Sequence, residues 1–373
     1  MDAAHPGASG ACRVTPSLHL CPLLPDELLS SWIARSALAS QCDPLALAAL
    51  IWPDWRAFTR DLDRRLNEIR VTRLASATGI LREHLHQTTL APRVAGVTVG
   101  DLLENAQWPW VVALGVRGPR RRSGPAFCPR CLAEDREPYF RVRWRLAWHT
   151  VCNRHRASLL DRCPKCGAPV MVHRLAGNAL SVAYCAICNA DLRESQQLVA
   201  EPAALAFQAA GDHVVCEQYG YVLSQKVSAA EWFAVTAFFI ALRRYAERGR
   251  PPAVEAFFVA MGEPMESRPL ETLDLNLELL RVEERRRLFR HTWPLLTAGI
   301  DEIRCALGEA AVSRQAFLAR TPQPPSPIRR LAANLEDHGR TRKRGTPYDR
   351  PMSRREVARR AARLIRRMEA LRW

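Results

Sequence analysis

Two sets of four metal-ligand residues stand back to back in the middle of this chain, and they limit its fold more tightly than any other feature. The first is Cys128-x2-Cys131 followed, after 20 residues, by Cys152-x2-His155. The second is Cys163-x2-Cys166 followed, after 18 residues, by Cys185-x2-Cys188. Zinc takes four tetrahedral sulfur or nitrogen donors, and each Cys-x2-Cys knuckle presents two sulfurs to one ion. Pairs of knuckles about 15–20 residues apart match the spacing of a structural zinc site. Four protein donors leave no open coordination position, which argues for structural and against catalytic zinc. Seven residues separate the two sets, so the expectation is two Zn2+ ions per chain in one treble-clef-like or ribbon-like module.

Cysteine usage agrees with this. Seven of the 12 cysteines fall in the two sets, leaving Cys12, Cys21, Cys42, Cys216 and Cys305 scattered. A disulfide framework belongs to short secreted chains, whereas this one has 373 residues. Residues 1–25 lack the basic start and apolar run of a signal peptide. The most apolar stretch, Trp232–Leu242, is too short to span a bilayer. The reading is a cytoplasmic protein without a membrane partner.

The net charge of +16 is concentrated in two places. Residues 117–166 carry +9 and residues 322–373 carry +10, leaving about −3 for the remainder. Clustered cationic surface suits a polyanion, because neutralised phosphates release their counterions. Only Lys165, Lys226 and Lys343 are lysines. Compositional bias explains that preference for arginine but not the clustering, which points to nucleic acid.

The N-terminal third reads as helical. Leu28, Leu29, Trp32, Ile33 and Leu38 recur at helical spacing behind Asp26 as a cap, and Pro44 opens a second apolar stretch through Ile51. In Arg70–Leu85, the residues Ala75, Gly79 and Leu85 sit at helix-turn-helix offsets: a small residue, a turn glycine and an apolar anchor. On that reading Arg82, His84, His86 and Gln87 face a major groove. The same pattern equally suits an ordinary helical hairpin with a glycine cap.

Arg117-Gly-Pro-Arg-Arg-Arg-Ser-Gly-Pro125 is a loop. Arg117, Arg120, Arg121 and Arg122 are its phosphate-contact candidates, with a solvated linker as the alternative. Phe140–Leu146 alternates strictly, so a strand there places Phe140, Val142, Trp144 and Leu146 inward and Arg141, Arg143 and Arg145 outward. His149 is a packed residue rather than a ligand, since His155 completes the x2 pair with Cys152. Helices follow across Glu201–Leu318, including Ser228–Arg248 and Glu283–Trp293. After the proline-rich Thr321–Pro327, the Ser353–Glu356 capping box opens a basic amphipathic helix. That helix suits DNA, a partner groove, a membrane surface or docking on its own protein. Enzyme motifs are missing: there is no Gly-Lys of a Walker A loop, no His-x-Glu of a deaminase and no His-Glu-x-x-His. A non-enzyme is expected, with a metal-dependent nuclease on scattered carboxylates as a remote alternative.

The segments Leu24-Pro-Asp-Glu-Leu-Leu-Ser-Ser-Trp32, Phe127-Cys-Pro-Arg-Cys-Leu-Ala-Glu-Asp135, Pro138-Tyr-Phe-Arg141, Trp144-Arg-Leu146, Cys152-x2-His155 and Leu160-x2-Cys163-Pro-Lys-Cys-Gly167 together resemble the TniQ/TnsD family. The resemblance covers about residues 18–192 and is loose beyond 200. It implies a target-site selection protein of prokaryotic transposons, acting at the nucleoid. Such a protein binds double-stranded DNA, or a CRISPR effector complex, and bridges it to an AAA+ transposition ATPase and through that to a DDE transposase. It also implies zinc on the eight ligands above and assigns no base-reading residues.

The expected fold is mainly α with a small central zinc-bound α/β module. A flexible N-terminus (1–17) precedes a helical, helix-turn-helix-like domain (18–115) and a basic Arg/Gly/Pro linker (116–126). A tandem zinc-binding module (127–195), a helical domain (196–320), and a Pro-rich linker with a basic C-terminal helix (321–373) follow. The expected function is a DNA-binding adaptor for transposition and DNA recombination. A zinc-ribbon/helix-turn-helix transcription regulator, which needs no ATPase, is the alternative.

Overall fold

The computed structural model describes residues 20–98, 100, 102–103, 106–114, 124–249, 251–265, 275–337, 357–358 and 361–362. The N-terminus expected to be flexible, Arg117, Arg120, Arg121 and Arg122 lie outside the described residues, as does most of the basic C-terminal segment. The chain divides into residues 1–335 and 336–373. In the second unit, residues 357–358 and 361–362 are helical. Among the described residues the fold is mainly helical with two two-stranded antiparallel sheets. No helix among the described residues is long and apolar enough to cross a membrane.

Helix α1 (Leu29–Ala39) is buried on nearly every face, which explains its small residues beside Trp32 and Ile33. Asp26 does not cap it: the cap position is Leu28. Asp26 itself is left-handed at φ 58°, and its carboxylate pairs with Arg143 and Arg93. Helix α2 (Pro44–Ile51) starts on a proline whose fixed φ suits the first helical position. Helix α3 (Glu68–Thr78) is capped by Asn67, whose Oδ1 accepts the Arg70 N–H at 3.0 Å. It stops at Gly79, left-handed at φ 71°, and α4 (Arg82–Gln87) follows. Leu85 and Leu74 sink into one core with Trp32, Ile51 and Leu62.

The central region places α5 (Pro129–Glu134) against a hairpin of β1 (Val151–Cys152) and β2 (Ala157–Ser158), with Cys152 opposite Ala157. The strand expected over Phe140–Leu146 is instead a 3-10 turn at Val142–Arg145. Phe140, Val142, Trp144 and Leu146 are buried as expected, but so is Arg145. A 3-10 turn rotates successive side chains by about 120° rather than 180°, so the alternation of a strand does not hold.

The C-terminal helices are α6 (Pro202–Glu217), α7 (Ala229–Ala246), α8 (Pro252–Ala260), α9 (Val282–Thr297), α10 (Ile300–Glu309), α11 (Arg314–Phe317) and α12 (Ser326–Ala332). Strands β3 (Tyr219–Val222) and β4 (Gln225–Ser228) form a hairpin between α6 and α7. Their aromatic core includes Phe207 stacked on Phe289 at 4.3 Å, beside Trp232 and Phe233. The proline-rich stretch is not a free spacer, because Pro327, Ile328, Leu331 and Ala332 of α12 are buried. The same core takes in Trp108–Val112 and Trp148, so it is continuous with the central region. Gln208 of α6 reinforces that join: its Oε1 accepts the Thr150 and Val151 N–H groups at 2.9 and 3.1 Å. Gly211, one turn on, lies where a Cβ would meet Trp148 at 2.9 Å.

Arg145 sits where these parts meet. Its fully buried guanidinium donates to Asp61 at 2.8 and 3.1 Å, to Asp63 at 2.9 Å and to the Val112 carbonyl at 2.8 Å. Asp63 also accepts the Ser30 N–H at 2.7 Å. Burial pushes the Asp63 carboxyl up to about 6, with Arg145 opposing. Arg145→Ala strands both carboxylates and should cost about 3–5 kcal/mol. Urea unfolding measures this. Replacing Arg145 with Met together with Asp61→Asn and Asp63→Asn removes every charge and should recover part of the loss. No recovery would mean that the donor geometry, rather than the stranded charge, is what matters.

Candidate metal centres and nucleic-acid interface

The first ligand set is built from a helix start and a hairpin turn. Cys128 occupies the N-cap of α5, and its Sγ accepts the Cys131 N–H at 3.5 Å. Cys152 ends β1, and His155 lies in the turn to β2. His155 Nδ1 is 3.3 Å from the Sγ of Cys128, 3.3 Å from that of Cys131 and 3.5 Å from that of Cys152. Cys131 and Cys152 sulfurs are 3.6 Å apart. Metal–sulfur bonds of about 2.3 Å and metal–nitrogen bonds of about 2.0 Å in a tetrahedron put donors about 3.5–3.8 Å apart. A disulfide would need about 2.05 Å. The spacing therefore fits a tetrahedral ion and excludes a sulfur–sulfur bond.

Two groups outside the quartet orient it. His155 Nε2 faces Glu134 Oε2 at 2.9 Å, the carboxylate partner that fixes the ring with Nδ1 toward a metal. Gln197 Nε2 donates to Cys128 Sγ at 3.4 Å and to the Ser158 carbonyl at 2.8 Å. Glu134 was legible in principle as Cys-x2-Cys-x2-Glu on one helix, while Gln197, 69 residues from Cys128, carried no signal. His149 is outside the set, its Nε2 2.6 Å from Asp212.

The second set consists of two knuckles of the same design. Gly167 and Asn189 donate N–H bonds back to the Cys163 and Cys185 carbonyls at 3.0 and 2.9 Å. Both are left-handed, at φ 67° and 55°, a conformation that glycine and asparagine accept at least cost. Backbone bridges Arg162–Pro169 and Tyr184–Asp191 flank the two turns. Sulfurs of Cys163 and Cys188 lie 3.5 Å apart, and those of Cys166 and Cys185 3.6 Å. Such close thiols cannot all ionise unaided. Cys188 is drawn down to about 7, chiefly by the Ala190 N–H, while partial desolvation within the cluster and the neighbouring thiols push the otherwise exposed Cys166 up to about 12. A divalent ion lets all four be thiolates.

In each set all four donor atoms lie within 4.8 Å of one another. The first set is mostly buried, whereas Cys166 of the second is exposed.

The nucleic-acid candidates fare unevenly. Helices α3 and α4 meet through Gly79 and the fully buried Leu85, as a helix-turn-helix requires. Arg82, His84 and Gln87 are exposed and His86 is half-buried. Their neighbours differ: Arg82 leans on Glu68 at 3.6 Å, while His84 and Gln87 line an open cleft of about 200 Å³ beside Asp26 and Arg93. Arg141, Arg143 and Arg145 do not share a face. Arg141 is bidentate to Asp135 at 2.8 and 3.0 Å and lies over Tyr139 and Trp144. Arg143 is half-exposed and bound to Asp26. Arg145 is interior and unavailable to phosphate, a correction forced by its carboxylate cluster.

The geometry defines a mainly helical protein with a helix-turn-helix-like pair and two Cys/His clusters arranged to hold metal ions. A family model described as TniQ matches residues 19–159. The matched stretch runs from α1 through the first ligand set, and this similarity to TniQ fits a transposon-associated, DNA-binding role. Comparison with curated proteins gives no match.

Two metal ions per purified chain are expected. Cys163→Ser should release one and Cys131→Ser the other, as elemental analysis would show. Glu134→Gln should weaken the first site about 10–100-fold, measured by competition with a chelator.

Proposed function

We propose that this chain is a non-enzymatic, zinc-loaded adaptor that selects transposon target sites. It binds double-stranded DNA and recruits an AAA+ ATPase, and through that a DDE transposase. The TniQ match over residues 19–159 carries the reading. The two tetrahedral donor sets support two zinc ions with a folding role, since each is closed by four protein ligands. Zinc on both sets makes the central module the rigid link between the α1–α4 domain and the C-terminal helices.

In this reading α4 carries the sequence-reading side chains and α3 holds it in place. Each base-edge contact contributes about 1–3 kcal/mol of discrimination. Arg82→Ala or Gln87→Ala should narrow the gap between a chosen target and random duplex, with the thermal midpoint unchanged. Leu85→Asp should instead unfold the domain by burying an unpaired charge. The decisive measurement is affinity capture from cells carrying the transposon, using the zinc-loaded chain as bait. An AAA+ ATPase in the captured set is the expected outcome. DNA binding with promoter repression and no ATPase would favour the zinc-ribbon regulator.

A further inference from the structure

Between α2 and α3 the chain folds back on itself and gathers arginines around two tryptophans. Arg60, Arg64, Arg65 and Arg70 line one open cleft with Trp55 and Trp108, and Asp61 is the one carboxylate among its lining residues. That carboxylate is already shared, since Asp61 accepts from the buried Arg145 and from Arg64 at 3.1 Å. Among the described lining residues, four guanidiniums face this one shared carboxylate.

The tryptophans set the arginines in position. The Arg70 guanidinium lies over the Trp55 ring at 4.0 Å, and those of Arg64 and Arg65 lie over Trp108 at 5.8 and 5.5 Å. Stacking on an aromatic face uses the flat side of a guanidinium and leaves its N–H edge for an acceptor. Arg64 also donates to the Ala106 carbonyl at 2.7 Å, which fixes it further. Each guanidinium has five donors, so an incoming oxyanion adds to these partners rather than displacing them. Arg60 and Arg65 are exposed to solvent.

Position supplies the second argument. Arg70 belongs to the first turn of α3, the first helix of the helix-turn-helix-like pair. In that motif the second helix enters the major groove while the first crosses the sugar-phosphate backbone. A cluster of stacked arginines at the start of the first helix is placed where that backbone passes.

We propose that the Arg60/Arg64/Arg65/Arg70 cleft is a backbone clamp that grips phosphates of duplex DNA beside the groove read by α4. The proposal rests on the DNA-binding reading above and adds a site to it. Its contribution is non-specific: it holds the duplex in register and carries no sequence information.

The test uses the full metal-loaded chain and a labelled random-sequence duplex, with anisotropy measured across a salt series. Arg60→Ala combined with Arg65→Ala removes the two guanidiniums most exposed to solvent. If each neutralises one phosphate, the slope of log affinity against log salt should flatten by about 1.8, at about 0.9 per phosphate. The loss should be equal on a chosen target and on random duplex. Arg60→Lys with Arg65→Lys keeps both charges and should restore most of the slope, which separates loss of charge from damage to the fold. A wild-type slope in the alanine variant, with duplex still bound, overturns the clamp and leaves the DNA reading standing. An unaltered chain that binds no duplex overturns both.

Discussion

One buried guanidinium holds three separate stretches of chain in register. Arg145 reaches the carboxylates of Asp61 and Asp63 and the carbonyl of Val112, and it comes from the turn that leads to the first hairpin ligands. Buried charges are costly unless each finds a partner, so the cluster works as an assembly condition. The helical domain, the Trp108–Val112 stretch and the metal-bearing region must all be in place before any of its members is satisfied. Asp63 extends the reach to α1 by accepting the Ser30 N–H. The metal clusters and the α3–α4 pair consequently sit at fixed positions within one packed body rather than on independent modules.

A second network does similar work among the C-terminal helices. Glu247 of α7's end takes both Arg243 and Arg287, and Arg287 also holds Glu284. Arg285, two positions before Arg287 on α9, is buried completely and donates to the Ala147 carbonyl. Burial draws its guanidinium down to about 10. Arginine-rich composition here has two uses, some side chains binding interior carbonyls and carboxylates and others facing solvent, and net charge alone does not separate them.

That is why the metal ligands were legible in the sequence and the arginine roles were not. Cys-x2-Cys and Cys-x2-His pairs are local, so spacing alone names the donors. Gly79 and Leu85 were legible for the same reason, since a turn glycine and an anchor residue act within one hairpin. Arg145 was misplaced because its partners Asp61 and Asp63 lie more than 80 residues away and because a 3-10 turn imitates strand alternation over four residues. The β3–β4 hairpin went unrecognised because Leu223 and Ser224 occupy its two turn positions at φ 50° and 61°. Such turns usually announce themselves with Asn-Gly. Here the full burial of Leu223 offsets the backbone cost instead. Trp55 and Trp108 likewise meet the same arginine cleft from points 53 residues apart, a convergence that no local pattern encodes.

The two knuckles of the second ligand set have a consequence for how this region is held together. Beyond Cys163 the apolar side chains that pack inward are few and modest in size: Val170, Val172, Leu175, Val182 and Leu192. The 18 residues between Cys166 and Cys185 thus form a loop whose closure depends heavily on the four sulfurs. An ion bound there acts as a cross-link of the kind a disulfide provides, removing loop entropy from the unfolded chain. Its strength follows the free metal concentration and requires the four thiols to stay reduced. With Cys166 at the surface, the second set is the more open of the two to solvent, so its cross-link is the one a chelator reaches first.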